Sequence, residues 1–228
     1  MNSFRFIIVS LFVFGVLFLF AVPKPEMQRE LETADLPWNI KTFEDGSSEV
    51  FHLKLEHSTL QDAIDRFHEP EDIALYFGEQ ASSLEAYFGT INIGPLEAKM
   101  VITLATDPDE INTMLERARG RSSSNSSDAK IEPAHADKEA ALQRKITGIT
   151  FIPKYSGLDA DFFKQRLGEP ASWLRLSENS VQYFYPDKGL SVTIDAEGKE
   201  ILQYSAPARF SLPDTDQLQT DDQPDLTN

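Results

Sequence analysis

Three histidines lie close together in this chain, His52, His57 and His68, and a metal centre is the first chemistry they suggest. A metal ion needs ligands converging within about 2 Å of one point. His52 falls in the alternating run VFHLKL at 50–55. If that strand continued to His57, the odd spacing would turn the two side chains to opposite faces. His68 is followed by Glu69-Pro70, so no H-E-x-x-H pattern forms. The histidines read as surface or capping residues, and no metal is expected. Ser127-Asp128-Ala129-Lys130 fits the S-x-x-K pattern of acyl-transfer enzymes, but it sits in a Ser-rich stretch without the companion signatures. Glu69 and Glu169 hold matching places before prolines, and a pair of carboxylates is what a glycosidase-type hydrolase uses. A glutamate ahead of a helix-ending proline is more often a solvated turn residue. Cysteine is absent, which removes thiolate nucleophiles, thiolate metal sites and disulfides. No catalytic residue and no cofactor are expected.

The aromatic residues offer a better functional lead. Trp173, Tyr183, Tyr185 and Tyr204 fall on runs that read as strands, and Arg175 stands beside them. In a sheet with helices on one side only, the other face meets water or a partner. Tyr, Trp and Arg are frequent interface anchors, so these five residues form the candidate partner-binding set. The same rings could instead build the core. The pattern Val181/Tyr183/Tyr185 against Gln182/Phe184 leaves both faces partly apolar and does not choose between them.

The elements that must position these residues fall into two blocks, 38–116 and 139–212. The first reads as a short strand at 50–55, a helix over 57–67 and the stop His68-Glu69-Pro70. The second reads as a strand at 146–153, a helix over 156–167 and the stop Gly168-Glu169-Pro170. Leu60, Ile64 and Phe67 recur at i, i+4, i+7 on one helical face, and Phe163 and Leu167 do the same at i, i+4. Ser58 and Ser156 sit where N-caps belong. After each stop come strands. Val181–Tyr185, Leu190–Ile194 and Ile201–Tyr204 are joined by Gly-containing turns, the mark of antiparallel hairpins. Ile73–Phe77, Leu84–Ile93 and Ala98–Thr106 play that part in the first block, followed by a helix over Asp109–Arg117. The fold class is α+β: two similar small helix-plus-antiparallel-sheet units in tandem.

Around the blocks lie segments of different character. Phe6–Val22 is a run of 17 uncharged residues. As a helix it would span about 25 Å, near the lower limit for a bilayer. Residues 1–22 are therefore an N-terminal transmembrane anchor or a signal. A cleavable signal fits less well, since its apolar run is shorter and ends at a small-x-small site. Residues 23–37 read as a linker, 117–138 as a flexible Ser-rich connector, and 213–228 as a disordered acidic tail with five Asp and no Lys or Arg. The net charge of −16 argues against nucleic acid and anionic lipid head groups as partners.

The second block, about residues 146–205, resembles the SmpA/OmlA family of BamE-like bacterial envelope proteins. The resemblance lies in Gly157 near the helix start, Leu167-Gly168-Glu169-Pro170 at its end, the aromatic strand Tyr183-Phe184-Tyr185, and the run Lys188–Asp195 through Gly198. Two such units in tandem are also similar to the β-lactamase-inhibitor-protein architecture, whose paired repeats form a concave protein-binding face. The resemblance implies a non-enzymatic envelope module, often attached to outer-membrane assembly.

The expectation is a non-enzymatic binding or scaffold module in the inner membrane, single-pass, with its soluble part in the periplasm. It would recognise a protein or envelope component through an exposed sheet face, without nucleic acid or a small-molecule cofactor. Two alternatives stand beside it: an envelope hydrolase using Glu, Asp or His between the blocks, and an inhibitory or regulatory clamp closing on one protein partner.

Overall fold

The computed structural model describes residues 36–220, apart from 69, 78–81, 95, 120–129, 155–156, 197, 199 and 215. The apolar run 6–22, most of the linker after it, Ser127 of the S-x-x-K match, Ser156 and the end of the acidic tail lie outside the described residues. Among the described residues no helix is long and apolar enough to cross a membrane.

The architecture is α+β. A nine-stranded, wholly antiparallel sheet forms the body. Its strands are β4 (Asp72–Phe77), β5 (Ser82–Ile93), β6 (Leu96–Leu104), β7 (Lys130–Ile131), β8 (Ile146–Pro153), β9 (Ser172–Arg175), β10 (Ser180–Tyr185), β11 (Leu190–Asp195) and β12 (Ile201–Ser205), in the order β7-β4-β5-β6-β8-β12-β11-β10-β9. A small sheet of β1 (Lys41–Thr42), β2 (Ser48–Val50) and β3 (Leu53–Lys54) precedes it. The helices are α1 (Leu60–Phe67), α2 (Pro108–Arg119), α3 (His135–Ala141) and α4 (Ala160–Leu167).

Local chemistry sets the helix ends. Thr59 caps α1, accepting from the Asp62 N–H while the Asp62 carboxylate accepts from the Thr59 N–H at 2.7 Å, a reciprocal capping box. Ser58 is not the cap, because its hydroxyl accepts the Lys54 N–H at 3.0 Å and so closes the preceding turn. Asp159, not Ser156, caps α4, accepting from the Phe162 N–H at 2.7 Å. At the far ends, His68 (φ 96°, ψ 174°) and Gly168 (φ 86°, ψ −176°) each donate an N–H to a carbonyl four residues back, at 2.9 Å in both cases.

One face of the large sheet is the core. Ile73, Ala86, Ile102, Ile149, Tyr204, Leu190 and Tyr185 pair successively across seven strands, and every one is buried. Beside this file runs a second: Met100, Phe151, Leu202, Val192, Tyr183 and Trp173. Leu60, Ala63 and Ile64 of α1, Ile111 and Met114 of α2, and Phe163 and Leu167 of α4 join the same cluster. Area removed from water contributes roughly 25 cal/mol per Å², so this continuous apolar layer is the main stabilising element. Two glycines serve close approaches. Gly89 (φ 63°) lies at the register shift in β5, where a Cβ would fall 1.9 Å from the Glu71 carboxylate. Gly189 (φ 63°) accepts the Ser205 N–H through its carbonyl, and its Cβ would fall 2.0 Å from the Ser205 carbonyl oxygen.

Four sequence expectations change here. The run 50–55 is a hairpin, not one strand: Phe51 (φ 56°) and His52 (φ 60°) form its two-residue turn. The buried Phe51 ring, 5.2 Å from Phe151 and 5.7 Å from Tyr204, offsets that left-handed backbone. The connector 117–138 is structured at both ends, since α2 runs to Arg119 and α3 begins at His135. Arg117 donates through Nε to Asp137 at 3.0 Å, and its Nη2 donates to the same carboxylate, 6 % exposed, across the segment. The two blocks share one sheet, because β6 pairs with β8 from Ala98 to Leu104. Finally, Gln219 of the acidic tail pairs with Trp173 at the sheet edge.

Candidate functional site

Strand alternation sends neighbouring residues to opposite faces, so the buried files fix what lies on the other side. There, Tyr87, Val101, Thr150, Gln203, Ser191 and Phe184 pair in succession from β5 to β10. Ile201, Thr193, Gln182 and Leu174 form a parallel row. Tyr87, Val101, Thr150, Ile201, Thr193, Gln182 and Leu174 are half-buried and Gln203 is exposed, so among the described residues no helix lies over this part of the sheet. At the β10 end the face closes, where Phe210 packs edge-on against buried Phe184 at 6.5 Å. The open part is polar, and exposed Lys99 lies on it two residues from Val101 on the same side of β6. Gln182 donates through Nε2 to the Ser191 hydroxyl at 3.3 Å and to Gln203 Oε1 at 3.5 Å, a cross-strand ladder that holds these side chains flat. Such a surface can offer hydrogen bonds and aliphatic contact to a partner that re-pairs its polar groups.

The five sequence-predicted partner residues are placed differently. Trp173 is 5 % exposed, Tyr183 3 %, Tyr185 2 % and Tyr204 4 %. All four lie on the helix-covered face, so they pack the core and cannot form the contact surface expected of them. Burial pushes the phenols of Tyr183, Tyr185 and Tyr204 upward from their ordinary value. Tyr204 Oη donates to the Pro37 carbonyl at 2.8 Å. Arg175 remains exposed at the sheet edge. The open face has its own signal in the sequence, where Ser191, Thr193 and Asp195 alternate with Leu190, Val192 and Ile194 and mark a polar side.

The histidines do not converge. His52 lies in the β2–β3 turn, His68 beside Phe88 with ring centres 6.3 Å apart, and His57 near Asp45. Among the described residues no three His, Asp or Glu side chains gather as a metal group. His57 and Asp45 line an open groove of about 290 Å³ with Ser47, Glu56 and Arg209. Asp45 accepts from the Ser47 hydroxyl and N–H and from Lys54 Nζ at 3.0 Å, and His57 Nε2 lies 3.4 Å away. These contacts, led by the Ser47 hydroxyl, hold the Asp45 carboxyl well below the usual carboxylate range. Serine, aspartate and histidine meet here in the wrong order for a hydrolytic triad, which needs histidine between the other two. The Asp45 contacts to Ser47 and Lys54 clamp the turn around Gly46. Comparison with known proteins finds no matching family model, no matching curated protein and no matching solved structure.

Proposed function

We propose that this chain is a single-pass, membrane-tethered binding or scaffold module of the bacterial cell envelope. Its soluble part lies in the periplasm and recognises a protein or another envelope component without transforming it. The observation that carries this reading is the sheet face running from Tyr87 to Gln182, which no described helix covers and whose polar side chains are linked across strands. The uncharged run Phe6–Val22 supplies the tether.

The reading of two like units also finds support. An α-helix ending at a Glu-Pro stop leads into an antiparallel meander twice, α1 into β4–β6 and α4 into β9–β12. The two helices end with the same backbone geometry. A tandem pair resembling the SmpA/OmlA unit, meeting along β6 and β8, accounts for both features.

Photo-crosslinking in intact cells tests the function. A crosslinking residue at Thr150, Thr193 or Gln203 of the full chain is expected to give a discrete adduct, and one at exposed Asp65 of α1 is not. No adduct, or the same adduct from Asp65, overturns the reading. Protease treatment of spheroplasts tests the tether separately: the soluble part is expected to be cut, and an uncut chain refutes the periplasmic placement.

A further inference from the structure

Among the described residues no strand pairs with the outer edge of β9, and one short piece of the chain rests on it. Trp173 donates its N–H to the Gln219 carbonyl at 2.8 Å and accepts the Gln219 N–H at 2.9 Å. This is a closely spaced antiparallel pair, and it is isolated: no strand surrounds Gln219. In β9 the groups alternate in direction. Leu176 donates inward to Ser180, so Trp173 and Arg175 present theirs outward. The strap meets the backbone at Trp173, while the Arg175 side chain is exposed and Leu176, just beyond, is 51 % exposed. An edge strand with free backbone groups is a template for another strand.

We propose that the β9 edge is a strand-addition site, held closed by residues 216–220, and that a protein partner opens it by laying an extended segment along Ser172–Leu176. This deepens the proposed function and rests on it: of the partners considered there, it selects a protein and names the mode of capture. The strap shows what the edge accepts, an extended polar segment held through main-chain bonds. A strand that pairs at Arg175 as well as at Trp173 adds main-chain bonds along the edge and competes with the strap for it. The side chain of Leu174 points to the helix-free face, so an added strand lengthens the candidate binding surface.

A labelled synthetic peptide of residues 213–224 (PDTDQLQTDDQP) tests this by fluorescence anisotropy with detergent-solubilised protein. A chain lacking 213–228 is expected to bind the peptide at least tenfold more tightly than the full chain. The same peptide carrying Gln219→Pro, which lacks the donor N–H, is expected to lose that binding. If the truncated chain does not fold, the full chain with Gln219→Pro replaces it, since that change frees the strap without a deletion. Equal binding to closed and opened chains, or no binding to a folded opened chain, overturns the proposal. Crosslinks from Thr150, Thr193 or Gln203 that persist after such a failure leave the binding function standing and remove only strand addition.

Discussion

His68 and Gly168 stop two helices in the same unusual conformation, with φ of 96° and 86° and ψ close to 180°. Only glycine adopts this region without strain, and a side chain there costs about 1–3 kcal/mol. His68→Gly is therefore expected to stabilise the fold relative to His68→Ala by about 1–2 kcal/mol. The Ala reference removes the imidazole in both variants, leaving the backbone as the difference. Urea unfolding measures it, and equal midpoints would show that the stop carries no strain.

Two buried tyrosines predict opposite responses to loss of a hydroxyl. Tyr204 Oη bonds the Pro37 carbonyl at 2.8 Å and so pins the entry to the domain onto a core strand. Tyr183 Oη is buried without a hydrogen-bond partner. Tyr204→Phe leaves a buried carbonyl unpaired, at a cost of about 1–3 kcal/mol. Tyr183→Phe removes an unsatisfied group and is neutral or stabilising. Calorimetry of both variants decides, and matching losses of stability would contradict the assignment.

Trp173 and Arg175 are two residues apart on β9 yet differ in burial. Trp173→Ala is expected to cost about 3–5 kcal/mol, the usual penalty for emptying a core aromatic site. Arg175→Ala should change stability by less than about 0.5 kcal/mol. A Trp173→Ala chain with wild-type stability would place that ring at the surface after all.

Glu200 predicts a pH dependence. It is 3 % exposed, and one carboxyl oxygen, Oε2, is buried without a hydrogen-bond partner. Burial raises its pKa from 4.5, opposed by N–H groups of Leu158 and Glu200 itself. A raised folded-state pKa means the fold favours the protonated acid. Its contribution is complete below the unfolded value and is lost as pH rises through the folded value. Stability should therefore decline as pH climbs above about 4.5, and Glu200→Gln should lessen that decline. At pH 7 the variant should gain on the order of 1 kcal/mol. Parallel pH profiles for the two chains would rule Glu200 out as the cause.

Much of the fold was legible because its signals are local. Leu60, Ile64 and Phe67 share a helical face, Leu190, Val192 and Ile194 share a strand face, and Pro70 and Pro170 end their helices. Each depends only on backbone period and the missing proline N–H, so the sequence by itself determined the class, three of the four described helices and nearly every strand after the stops, but not α3 at His135–Ala141. The hairpin at Phe51–His52 was hidden because its turn uses residues that disfavour positive φ. A distant contact, the Phe51 ring against Phe151 and Tyr204, holds it there.

Tertiary structure alone decided which way the sheet faces. In the strand VQYFY either parity is apolar enough for a core, and no local rule breaks the tie. Pairing breaks it. Once Tyr183 lies opposite Val192 and Trp173, the whole register commits the aromatics inward and Gln182, Thr193 and Ile201 outward. The open face and the guarded β9 edge are properties of strand order, which pairs β6 with β8 and β8 with β12 across long intervening stretches and leaves no mark in any short window of the chain.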